Sequence, residues 1–237
     1  MISIENLYYL LILLCSLLGP LSLSFDKKVS FFNKFKHSWL SIVLPAILYI
    51  AWDAVFTSMN VWSFSKKYTL GISILGLPIE EILFFFVIPY CSLFVYEVFK
   101  CYFPNLLKSN NRTPGYLALL IIILFLAFRG FPFSQLYTSW VSLSAIAIVV
   151  FLLFRPSFNN FWIAFGVAYL TVLIPKFMVN GLLTSLPVVI YNDSYFSTIR
   201  ILSIPLEDFI YFLGLFLLNI MLYEYYLKRK LSNQPLV

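Results

Sequence analysis

Apolar runs of about twenty residues alternate with short polar stretches along the whole chain. They fall at 4–24, 39–59, 79–99, 115–131, 134–154, 160–181 and 207–227. A run of about twenty apolar residues spans the hydrocarbon core of a bilayer as an α-helix, and backbone groups in lipid must pair internally. The pattern predicts an all-α integral membrane protein with seven transmembrane helices. The first run, Leu7 to Leu23, has no basic residue before it and no small-x-small site behind it. It reads as a retained helix rather than a signal peptide.

The polar positions repeat. Pro78-Ile79-Glu80-Glu81 opens the third run, which reaches Tyr96-Glu97; Pro205-Leu206-Glu207-Asp208 opens the seventh, which reaches Tyr223-Glu224. Every matched position keeps one offset, that from Pro78 to Pro205, and on the same offset Asp53 in the second run maps onto Asn180 in the sixth. The chain therefore divides into a first repeat (1–105, helices one to three), a linking helix (106–133) and a second repeat (134–237, helices five to seven). Three helices would invert the second copy; the linking helix crosses back, so the two repeats run parallel. Parallel repeats relate through an axis along the membrane normal and place a site at their interface.

Composition and charge narrow the class. The chain of 237 residues is 62% hydrophobic and 11% charged, against roughly a quarter charged in soluble domains. The net charge of +6 fits basic cytoplasmic loops beside anionic lipid rather than a nucleic-acid partner. Eleven Lys and Arg fall in the first, third and fifth loops and the tail, against four on the other side. The positive-inside rule then puts the C-terminus in the cytoplasm and the N-terminus outside a multi-pass cell-membrane protein. Cys15, Cys91 and Cys101 show no paired spacing and His37 stands alone, so neither a disulfide framework nor a metal centre is expected. No glycine-rich nucleotide or flavin motif occurs, and no cofactor is expected.

The candidate chemistry lies in the duplicated acids. One proline followed by acids is an ordinary helix start that suits the helix dipole. Two copies at one spacing, with Asp53 inside an apolar span, point instead to an ionisable site in the membrane. Adjacent carboxyls in low-dielectric surroundings cannot all ionise, which leaves a general acid beside a general base. Glu80, Glu81, Glu207 and Asp208 are the candidate catalytic residues, and Asp53 and Asn180 the groups that orient them or share a proton. Trp52, Trp62, Phe84, Phe85, Tyr211 and Phe212 lie near the acids in sequence. Aromatic faces attract cations without offering a nucleophile, so such a pocket suits a carbocation. Glu97 and Glu224 lie 16 residues beyond the second acid of each motif, about 24 Å along a helix, and read with Tyr96 and Tyr223 as interfacial anchors. Lys176 either pairs with an acid or snorkels to the surface. Helix seven carries no lysine before Lys228, which sets aside a retinal-binding rhodopsin.

In these residues the sequence resembles the membrane lycopene β-cyclases of the heterodimeric type, whose halves are fused in one chain in some organisms. The resemblance covers both repeats and rests on Trp52-Asp53, Val61-Trp62-Ser63-Phe64, Pro78-Ile79-Glu80-Glu81, Asn180-Gly181, Pro187-Val188-Val189, Tyr191-Asn192, Arg200-Ile201 and Pro205-Leu206-Glu207-Asp208. It implies the substrate lycopene, a product of γ-carotene and then β-carotene, and a redox-neutral isomerisation: an acid protonates C2, the C1 cation is attacked by the C5=C6 bond, and a base takes the C6 proton. It also implies membrane lipid and other carotenoid enzymes as companions. Ile190 stands where the resemblance leads one to expect tryptophan, which would alter the pocket's shape but not its acids.

Which acid pair performs which step is open from the sequence. A carotenoid hydratase would use the same protonation and capture the cation with water. A proton-coupled transporter on parallel repeats would use the same acids without chemistry. A membrane scaffold would not need them.

Overall fold

A computed structural model of the chain describes residues 3–105, 111–128, 136–155, 161–197 and 199–232. Eight α-helices occupy these residues: α1 (Tyr8–Leu23), α2 (Phe31–Ser38), α3 (Leu40–Ser58), α4 (Ile79–Tyr102), α5 (Thr113–Phe128), α6 (Leu136–Leu153), α7 (Trp162–Ser185) and α8 (Glu207–Ser232). Five helical stretches are long and apolar enough to cross a membrane: Ile4–Leu23, Leu40–Ser58, Ile79–Tyr102, Trp162–Ser185 and Glu207–Arg229. Thr113–Ala127 and Tyr137–Leu153 are apolar and shorter. The domain boundaries expected at 106 and 133/134 lie outside the described residues.

The helices pack in a crossed scheme. α1 packs against α4 and α6 against α8, while α3 crosses to α8 and α7 crosses to α4. Each packed pair has its counterpart in the other half at the repeat offset. α4 and α8, the helices that open on the acids, therefore sit at the centre.

Two features were not expected from the sequence. The first polar loop carries the short helix α2, because Phe31 and Phe35 fall one turn apart and leave Lys34 and Lys36 on other faces. Phe31 is fully buried against Tyr90, Phe94 and Tyr223. The second is a set of short antiparallel strands at the end where α4 and α8 begin. β2 (Ser73–Ile74) pairs with β3 (Leu77–Pro78), and β5 (Arg200–Ile201) pairs with β6 (Ile204–Pro205). The two hairpins share one register and occupy matching positions in the two repeats. Their turns place Leu75 and Leu202 at φ 54° and 57°, a conformation that two-residue hairpins demand. β1 (Trp62–Phe64) pairs with β4 (Val189–Tyr191), with Ser63 opposite Ile190. That seam joins the polypeptide before α4 to the polypeptide before α8.

Each hairpin feeds directly into an acid-bearing helix. Pro78 is extended at φ −57° and ψ 147°, which ends the strand and starts α4 in one residue. Backbone bonds fix the junction in both places: the Ile79 amide donates to the Ile72 carbonyl at 2.9 Å, and the Leu206 amide to the Ile199 carbonyl at 3.0 Å.

Candidate functional site

Consecutive residues at a helix start point about 100° apart, so the two acids of each motif face different surroundings. The first acids turn toward the hairpin loops. Glu80 Oε1 accepts from the Leu70 amide at 2.6 Å, and Glu207 Oε1 accepts from the Ser197 amide at 2.6 Å. The Thr138 hydroxyl also donates to Glu207. Both residues are fully buried.

The second acids turn inward. Glu81 and Asp208 line one cavity of about 70 Å³ together with Asp53 and Asn180. Four helices supply these groups: Glu81 comes from α4, Asp208 from α8, Asp53 from α3 and Asn180 from α7. The crossed packing brings them together, since α3 and α7 each lean on the acid helix of the opposite half. Glu80 and Glu207 do not line this cavity.

Each inward carboxylate has a donor. Tyr9 donates to Glu81 Oε2 at 2.5 Å, and Tyr191 donates to Asp208 Oδ2 at 2.5 Å. The Asn180 amide lies 3.4 Å from the same Asp208 oxygen. The Trp62 indole N–H donates to Asp53 Oδ1 at 2.6 Å, and among the described residues Asp53 Oδ2 has no hydrogen-bond partner. Tyr191 lies on β4, outside the helices. Burial, and then the charge of Asp208, hold its phenol well above the ordinary tyrosine range. It remains a donor at any physiological pH.

Aromatic rings wall the cavity. Trp62, Phe84, Phe85 and Tyr211 line it, as do Tyr9, Phe64, Tyr137 and Tyr191. Trp52 and Phe212 do not line it: Trp52 stacks on Phe56 at 5.6 Å, and Phe212 on Phe216 at 5.7 Å. Nothing local distinguishes Tyr9 and Tyr137 among the 16 tyrosines of the sequence. Tyr191 alone carried a signal, as part of Tyr191-Asn192. Ile190 projects away from the site, with 47% of its surface exposed, while its neighbours Val189 and Tyr191 line the cavity. The residue at 190 therefore does not shape the pocket.

Lys176 is buried on α7 and makes no ion pair within 4.0 Å among the described residues. Its Nζ lies 5.3 Å from the ring centres of both Phe209 and Phe212. Glu97 and Glu224 are more than interfacial anchors. Tyr96 donates to Glu224 and Tyr223 donates to Glu97, each at 2.9 Å. Lys100 bridges both, at 3.2 Å to Glu97 and 2.5 Å to Glu224, and Lys34 of α2 adds a bond of 2.6 Å to Glu97. This clasp locks α4 to α8 at the end away from the cavity.

The arrangement can hold a proton among carboxyls, release it to an apolar guest, and surround a transient cation with ring faces. Comparison with known proteins points the same way. The sequence profile of the family described as lycopene cyclase matches residues 6–99 and 134–226. The chain is similar to two proteins named bifunctional lycopene cyclase/phytoene synthase. One, from Neurospora crassa, is 27% identical over 121 residues, covering 47% of this chain and 20% of that protein. The other, from Podospora anserina, is 32% identical over 74 residues, covering 31% of this chain and 12% of that protein. The matched stretch thus spans a fifth or less of these relatives. No solved structure matches the chain.

Proposed function

Because the chain belongs to the lycopene cyclase family, we propose that it closes β-ionone rings on the end groups of lycopene by acid–base catalysis in the cavity shared by Glu81, Asp208, Asp53 and Asn180. The observation that carries this reading is the meeting of three carboxyls and an amide from four different helices in one aromatic-walled space. The pairs Glu80/Glu81 and Glu207/Asp208 divide the work by position. Glu81 and Asp208 face the guest and exchange protons with it. Glu80 and Glu207 hold the two hairpins so that the inward acids stay in place. A proton delivered to C2 creates the C1 cation, the C5=C6 bond attacks it, and a carboxylate takes the C6 proton. Every atom and electron is retained, and the step asks for one proton donor and one proton acceptor.

The same reading includes a membrane arrangement: seven crossings, two parallel three-helix repeats at 1–105 and 134–237 joined by 106–133, and a cytoplasmic C-terminus. The paired helix contacts, hairpin registers and carboxylate bonds that recur at matching positions support the two repeats, and the balance of Lys and Arg between the two sides supports the cytoplasmic C-terminus.

The test is expression in a host that accumulates lycopene, with pigments separated by chromatography. Ringed carotenes are expected. Unchanged lycopene beside inserted protein overturns the proposal, and tertiary alcohols would assign a hydratase instead.

A further inference from the structure

A larger apolar groove of about 550 Å³ lies beside the cavity, between α1, α4 and α7, and Phe84 and Asn180 stand in the walls of both. Small residues make this room. Ser16, Gly19, Cys91, Val95 and Val179 line the groove, and a Cβ built on Gly19 meets nothing within 4 Å. Met178, 66% exposed, and Leu182, 48% exposed, lie on its rim, so it is open sideways. Along α4 it runs from Phe84 to Val95, about 16 Å, or half the hydrocarbon thickness.

The matching positions in the other half carry larger side chains. At the repeat offset, Leu218, Leu222 and Trp52 stand for Cys91, Val95 and Val179 respectively. Lys176 is matched by Tyr49. Tyr49 packs its ring 4.8 Å from Tyr211 and 6.1 Å from Trp52. It presses so closely on α8 that a Cβ at Gly214 would lie 2.8 Å from its hydroxyl. The acids are duplicated, but the smaller side chains that line this groove on α4 and α7 are not.

Building on the cyclase reading above, we infer that the polyene reaches the acids one end at a time, through the groove between α1, α4 and α7. The half-length groove holds one end of the chain, and the other end stays in lipid. The site closes one ring, and a second ring requires the singly ringed product to leave, turn end for end and re-enter. Cyclisation is then distributive, with free γ-carotene as an obligatory released product on the way to two rings.

The experiment uses the full chain in lipid vesicles supplied with isotope-labelled lycopene and a pool of unlabelled γ-carotene. The label should reach β-carotene only after dilution in that pool. Undiluted label in β-carotene from the earliest time points overturns the inference while leaving the cyclase reading intact; absence of any ring overturns both. The groove itself is tested by alkylation of Cys91, with Cys101 as the internal control. Lycopene should slow modification of Cys91 and not of Cys101, and equal rates overturn the assignment. Gly19→Leu should lower turnover roughly tenfold or more by misplacing the guest, while the Cys91 result in the unaltered protein stands whether or not that variant inserts.

Discussion

Glu80 and Glu207 hold the same bond in two places: each accepts, at 2.6 Å, the backbone amide ten residues before it. The bond ties the loop before each hairpin to the first turn of the acid helix. Leaving a buried backbone donor without its acceptor costs about 1–3 kcal/mol. Glu80→Ala and Glu207→Ala should therefore lower the thermal unfolding midpoint in detergent and reduce cyclisation in step with it. Gln, which keeps an acceptor, should do less harm than Ala.

The neighbouring acids should behave differently. Glu81→Gln and Asp208→Asn keep the volume and the hydrogen-bonding oxygen but cannot exchange a proton. General acid–base catalysis contributes about 10²–10⁴-fold, so ring formation should fall by that factor with the unfolding midpoint little changed. Initial rates of lycopene loss, measured beside the unfolding curve, separate the two classes. Equal activity in all four variants would remove the cavity from the mechanism.

Tyr9 and Tyr191 orient the two inward carboxylates. Loss of a hydrogen bond to a charged group is worth about 1.5–3 kcal/mol, or some 10–150-fold in rate. Tyr9→Phe and Tyr191→Phe should each slow ring closure within that range. Since the Tyr191 phenol is held well above its ordinary range, no loss of activity from its ionisation should appear in a pH profile up to the alkaline limit of folding.

The clasp at the far end should govern stability alone. Lys100 is nearly buried and touches both Glu97 and Glu224. Lys100→Met leaves two carboxylates without their shared cation, a change that costs about 3–5 kcal/mol in buried sites. Thermal unfolding should show a large drop, with turnover of the surviving folded fraction near that of the parent.

Ile190 offers a control. Its side chain is exposed and directed away from the cavity. Ile190→Trp should leave the rate of cyclisation close to the parent's, and the stability within about 0.5 kcal/mol, as is usual for a surface position.

The helices were legible because apolar runs of membrane length leave one local solution. The five longest follow the predicted runs to within a few residues, and the acids stood out because Pro78-Ile79-Glu80-Glu81 and Pro205-Leu206-Glu207-Asp208 recur at one spacing. The division of each acid pair into an inward and a loop-facing member was not legible, since it depends on which way the hairpin delivers the helix. Two-residue strands such as Ser73–Ile74 are too short to display alternation. Tyr9 and Tyr137 reach the cavity from α1 and α6, and no local pattern joins them to acids far along the chain. The clasp was half visible: Tyr-Glu recurred, but the exchange of partners between Tyr96-Glu97 and Tyr223-Glu224 exists only once α4 and α8 are side by side.

The strand pair that sets Ser63 against Ile190 has one further consequence. Each half of the molecule contributes a single strand to it and would, by itself, present a bare row of amides and carbonyls. Neither half is finished alone. The edge left open in each half is the one that the other half covers.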